Sequence, residues 1–106
     1  MNVVGWEVAR RMAQTIVETV HPTSVIVFGS LARGEVGPDS DVDFLVVASF
    51  TGSRRAFTVR ILSALARFDV PKDVVVLTPE EFESTRDLVG TVAYPAVREG
   101  RVLHAA

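Results

Sequence analysis

Cysteine is absent from the 106-residue sequence, lysine occurs once, tyrosine and tryptophan occur once each, and neither sign of charge prevails. The missing thiols exclude a disulfide framework, a zinc ribbon and a cysteine nucleophile together. A formal charge of -2, from 11 basic and 13 acidic residues, removes the excess of Lys and Arg by which general nucleic-acid binders neutralise phosphates. No apolar run approaches the ~20 residues of a membrane span. Met1 to Glu7 does not read as a signal peptide, so the expectation is a soluble, cytoplasmic protein with no membrane partner. The two histidines, His21 and His104, stand too isolated for a metal site. Every basic residue but Lys72 is arginine, a composition bias rather than a set of binding residues. A chain of this length buries about two thirds of its unfolded surface. That supports one core over residues 1–106, without room for a separate acceptor domain, and puts part of any reaction on another molecule.

What is present reads as alternating layers. Val4, Val8, Met12, Ile16 and Val20 recur every four residues, which predicts an amphipathic helix from Val4 to Val20. His21-Pro22-Thr23 ends it. Ser24–Phe28 is a short β-branched run and predicts a buried strand. Gly29 to Ser40 is turn-rich, with room for one helical turn at Leu31 to Arg33. Asp41–Ala48 predicts a strand that is apolar on both faces beyond its acids, hence central in its sheet. Phe57, Ile61, Leu65 and Phe68 place a second helix after Ser53, and Asp73–Leu77 predicts a third strand. Thr78-Pro79-Glu80-Glu81 supplies an N-cap, a proline for the first helical position and a capping-box acid for a helix over Pro79–Asp87. Val89–Glu99 is helical in character but interrupted by Gly90 and Pro95, and Arg101–His104 reads as a short strand or a docked terminus. The fold class expected is α/β (α+β), with helices packed on a small sheet.

The acids are placed oddly for a core strand. Asp39, Asp41 and Asp43 fall within five residues, and Asp41 and Asp43, two apart, share one face of a strand. Two carboxylates about 4 Å apart repel by roughly 1 kcal/mol in water and about 4 kcal/mol at the effective dielectric of a partly buried site. A hard cation between them removes that penalty, and Mg²⁺ takes one or two carboxylates together with phosphate and water oxygens. Asp73 heads another apolar strand and would stand beside the pair if the strands start level. Singly, each of these acids also reads as a solvated turn residue. Upstream, Gly29-Ser30 follows a strand and precedes a helical turn, so its N–H groups can face an anion, with the Ser30 hydroxyl as an added donor and no side chain at Gly29 to block approach.

Gly29-Ser30, ten residues, then Asp41-Val42-Asp43 resembles the signature of nucleotidyltransferases of the DNA polymerase β superfamily. With Gly29–Gly34 and Ser40–Val46, it resembles the minimal nucleotidyltransferase (MNT) branch, over nearly the whole chain. That resemblance implies a small mixed β-sheet of polymerase-β type and one minimal nucleotidyltransferase domain over residues 1–106. It implies transfer of a nucleoside monophosphate using one or two Mg²⁺ ions. Asp41, Asp43 and Asp73 would be the catalytic and metal-binding acids, and Gly29, Ser30 and Arg33 the nucleotide-binding residues. Arg33 suits a triphosphate or leaving pyrophosphate, and it equally suits an ion pair with Glu35 or Asp39.

Within the resembled family, such chains are commonly antitoxins that pair with a HEPN-domain toxin and modify its tyrosine with AMP from ATP. Two other functions fit the same residues: a small-molecule transferase of the aminoglycoside type, and a binding-only antitoxin that masks its partner. Trp6 and Tyr94 read as packing residues, Lys72 as a surface lysine, and Arg54, Arg55 and Arg60 as a solvated helix face. Nothing in the sequence selects a nucleobase or distinguishes a monomer from a homo-oligomer.

Overall fold

The computed structural model describes residues 5–35, 37 and 40–106. In chain order they form α1 (Trp6–Val20), β1 (Ser24–Phe28), β2 (Val42–Val47), α2 (Arg54–Leu65), β3 (Lys72–Leu77), α3 (Pro79–Thr85), α4 (Ala93–Glu99) and β4 (Arg101–Ala105). The sheet has four strands in the order β3-β2-β1-β4. β1 runs antiparallel to both neighbours, and β2 runs parallel to β3, with α2 as the crossover. The mixed sheet matches the expected fold class, and β2 is central, as its apolar faces require.

Alternation along the strands splits the core in two. Val25, Val27, Val42, Phe44, Val46, Val74 and Val76 face α1 and α2, where they meet Ala9, Met12, Ile16, Ile61 and Leu65. Ile26, Leu45 and Val47 point the other way, onto Ala96 of α4, with Phe82 of α3 beside them. Burying a large aliphatic side chain contributes about 1.5–3 kcal/mol, so the first face carries most of the apolar stabilisation. Thr15 is the buried polar residue there, and its hydroxyl is satisfied by the Arg11 carbonyl at 3.1 Å and by Arg67 at 2.8 Å.

The helix ends follow local chemistry. His21 adopts left-handed φ 48° and returns its N–H to Val17 O, closing α1 before Pro22. Ser53 caps α2 by accepting from the Ala56 N–H at 3.0 Å. At α3 the capping box is complete: Thr78 Oγ1 accepts from the Glu81 N–H at 3.1 Å, and Glu81 Oε1 accepts from the Thr78 N–H at 2.9 Å. Pro95 sits in the first turn of α4, where its missing N–H breaks no helical bond.

Several boundaries differ from expectation. The proposed start of α1 at Val4 lies outside the described residues, as does Asp39, and the helix runs from Trp6. β2 begins at Val42, leaving Asp41 just ahead of the strand. α3 stops at Thr85 because tighter bonds take over: Leu88 N–H to Thr85 O, Thr91 Oγ1 to the same carbonyl, and Arg98 to Arg86 O. β4 is a true strand, with a register shift against Val25 and Ile26.

Candidate active site

The acids and the glycine turn gather at one end of the two central strands. β1 and β2 pair so that Phe28 lies opposite Asp43, and the chain leaves β1 directly into Gly29. In the parallel pair, Asp43 lies opposite Asp73. Level strand starts therefore set Asp73 next to Asp43, as anticipated. Asp43 shares its face with Leu45 and Val47 and is half-buried, whereas Asp41 and Asp73 are exposed. Ser40 feeds Asp41 into the strand by closing a turn, its Oγ accepting from the Gly37 N–H at 2.8 Å, and the Val42 N–H anchors to Pro71 O at 2.9 Å.

Gly29 is required by this geometry. Its φ is 74°, and a Cβ built there would run into the Asp43 carboxylate. Glycine lets that carboxylate lie against the turn, a reason stated by neither the sequence motif nor phosphate access. The turn then winds tightly: Arg33 N–H donates to Gly29 O at 3.1 Å and Glu35 N–H to Ser30 O at 2.9 Å. Leu31 is buried in the main core and pins the turn down. The N–H groups of Ser30, Leu31 and Ala32 find no acceptor among the described residues, leaving donors at the mouth of the turn of the kind that bind anions.

The electrostatics are those of a site short of positive charge. Asp43 is pushed above the usual aspartate range, first by burial, then by the charges of Asp73 and Asp41, with Arg33 pulling the other way. Like charges and burial together disfavour the ionised form, and a cation would restore it. Among the described residues no three His, Cys, Asp or Glu side chains form a ready-made cage. Mg²⁺ does not require one, because it is usually held by one or two carboxylates plus phosphate and water. The oxygen-only donor set of Asp41, Asp43 and Asp73 fits such an ion.

Arg33 is turned to carboxylates: Nε lies 2.8 Å from Glu35 and Nη1 3.4 Å from Glu99. Glu99, the last residue of α4, was not singled out from sequence. It lies 66 positions away, with no local signal to connect it. Lys72 sits apart from the acids' chemistry, donating to Phe68 O at 2.9 Å. Of the three arginines read as a solvated helix face, Arg54 is paired with Glu81 and Arg60 donates to Thr19 O.

A family model described as a nucleotidyltransferase domain matches residues 9–99. No curated protein matches the chain in sequence. Solved structures match it in fold. A toxin–antitoxin structure with AMP-PNP aligns at TM-score 0.67 and 19% identity, over 92% of this chain and 73% of that one. An MntA–HepT toxin–antitoxin structure aligns at TM-score 0.60 and 17% identity, over 94% and 73%. A structure from Shewanella oneidensis aligns at TM-score 0.61 and 16% identity, over 95% and 73%. At such identities the likeness is one of fold.

Proposed function

The chain belongs to the nucleotidyltransferase domain family, and from that premise we propose that it transfers AMP from ATP to a hydroxyl of a partner protein. The partner we infer is a HEPN-domain toxin modified on a tyrosine in the cytoplasm, which makes this chain the antitoxin of the pair. One observation carries the reading: the glycine turn abuts Asp43, which itself lies opposite Asp73, so anion donors and acids meet at one sheet end. The same-fold toxin–antitoxin structure with AMP-PNP supports the choice of nucleotide and partner.

In this reading the N–H groups after Gly29 that have no acceptor among the described residues, with the Ser30 hydroxyl, bind and orient the triphosphate. Arg33 exchanges Glu35 and Glu99 for phosphate oxygens. Asp41, Asp43 and Asp73 would hold Mg²⁺, which when bound neutralises phosphate charge and stabilises the attacking and leaving oxygens. Asp73, exposed at the start of β3, accepts the acceptor hydroxyl's proton. A new oxygen–phosphorus bond then forms at the α-phosphate as its bond to the β-phosphate oxygen breaks and pyrophosphate leaves. Positioning and charge stabilisation supply most of the acceleration.

The test is to combine the chain with ATP, Mg²⁺ and the toxin encoded beside it, and to weigh the toxin. A mass gain of one AMP per toxin, lost when Asp41 and Asp43 are both changed to Asn, is the expected result. Inhibition by the double variant with no mass change would show steric masking instead, and AMP on an added aminoglycoside but not on the toxin would show a small-molecule transferase.

A further inference from the structure

β4 is an edge strand, bonded to β1 on one side and, among the described residues, to nothing on the other. An edge presents a row of N–H and C=O groups that another strand can pair with. The two faces of the sheet beside this edge differ. On the α1 side a cleft of about 410 Å³ is lined by Arg10, Gln14, Arg101 and His104 over Ala13 and Leu103. On the opposite side a cleft of about 290 Å³ is lined chiefly by apolar groups, Ile26, Phe82, Ala96, Val97 and Val102, and its one charged residue, Arg86, is paired with Glu83 at 3.1 Å. The register shift at Val25 and Ile26 lets Leu103 and His104 both serve the cationic side. Val102 is left 56% exposed on the apolar side.

We propose that the outer edge of β4 docks an extended strand of a partner protein whose side chains alternate between acidic and apolar. Successive side chains of an added strand point to opposite faces, so its acids enter the Arg10–Arg101 cleft while its apolar residues cover Val102 and Phe82. Main-chain pairing supplies affinity, and the two unlike clefts supply specificity. No acid lines the cationic cleft; of the two acids on α1, Glu7 lines a separate cleft with Val8 and Arg11, and Glu18 accepts from Gln14. Charge also decides against a second copy of this chain. A two-fold axis normal to the sheet would keep each face with its own kind and set Arg10 and Arg101 beside their copies, a like-charge juxtaposition. Arg101 lies opposite Val27, two residues before Gly29, so one end of the docked strand reaches the acidic end of the sheet. Docking does not depend on the transferase reading.

Two synthetic octapeptides serve as probes, one alternating Glu with Val and the other alternating Lys with Val. Trp6, the sole tryptophan, reports binding because Arg101 stacks on its ring at 4.1 Å. The Glu–Val peptide is expected to change Trp6 emission saturably and to protect the β4 amides from hydrogen exchange. Arg10→Glu, an exposed change, should weaken it about tenfold or more, and Val102→Asp should weaken it through the other face. Asp43→Asn should bind the peptide unchanged, which separates this proposal from nucleotide transfer. Equal binding of both peptides, binding indifferent to Arg10→Glu, no β4 protection, or self-association of the chain through β4 would each overturn it.

Discussion

Gly29 shows how one residue type can be fixed by two demands. Its positive φ favours glycine on backbone grounds alone, and the Asp43 carboxylate fills the place a Cβ would take. Gly29→Ala is therefore expected to cost about 1–3 kcal/mol of stability and most of the transferase activity. The two demands can be separated by denaturant titration in an Asp43→Ala background. There the side-chain clash is gone and only the backbone strain remains, so Gly29→Ala should cost measurably less. An equal cost in both backgrounds would mean that the carboxylate does not press on the turn.

At the level of the element, α3 rests on its start rather than its packing, since none of its residues is buried. Removing the cap with Thr78→Ala should cost about 1 kcal/mol, read as a lower Tm. Glu81 is held below the ordinary glutamate range, first by the Thr78 N–H and then by Arg54. An acid with a lowered folded value stabilises the fold above its unfolded value, and that contribution fades as pH falls through the folded one. Glu81→Gln should thus be less stable than wild type at neutral pH, with the gap closing in acid. A gap that persists in acid would assign the effect to something other than the charge.

The cap of α3 was legible in the sequence because all its chemistry lies within four residues. β1 was legible from a run of five residues, and the Gly29–Asp43 motif from the spacing of its glycine turn and acids along the chain. The ion pair of Arg33 with Glu35, two residues away, was legible in the same way, whereas the end of α3 and the second partner of Arg33 were not, because Arg98 and Glu99 act on them from across the fold. The face shared by Asp43 and Leu45 followed from alternation, while the meeting of Asp43 with Asp73 depended on a strand register that only the folded chain fixes.

For the molecule as a whole, the two sides of the sheet are unequal. α1 and α2 cover a broad core, whereas α3 and α4 contribute only Ala93 and Ala96 as buried residues. Local opening is easiest where few apolar contacts resist it. Amides of α3 and α4 should exchange with solvent well before those of α1, β1 and β2, as measured by native-state hydrogen exchange. Uniform protection across both layers would contradict this division. The mixed direction of the sheet also has a consequence in time. β1 and β2 are joined by a single connection, so Gly29 and Asp43 meet by closing a short loop. Asp73 arrives only after the α2 crossover has formed, and loop closure is slower for distant partners. By that ordering Gly29 and Asp43 are expected to come together before Asp73 adds a further negative charge beside them.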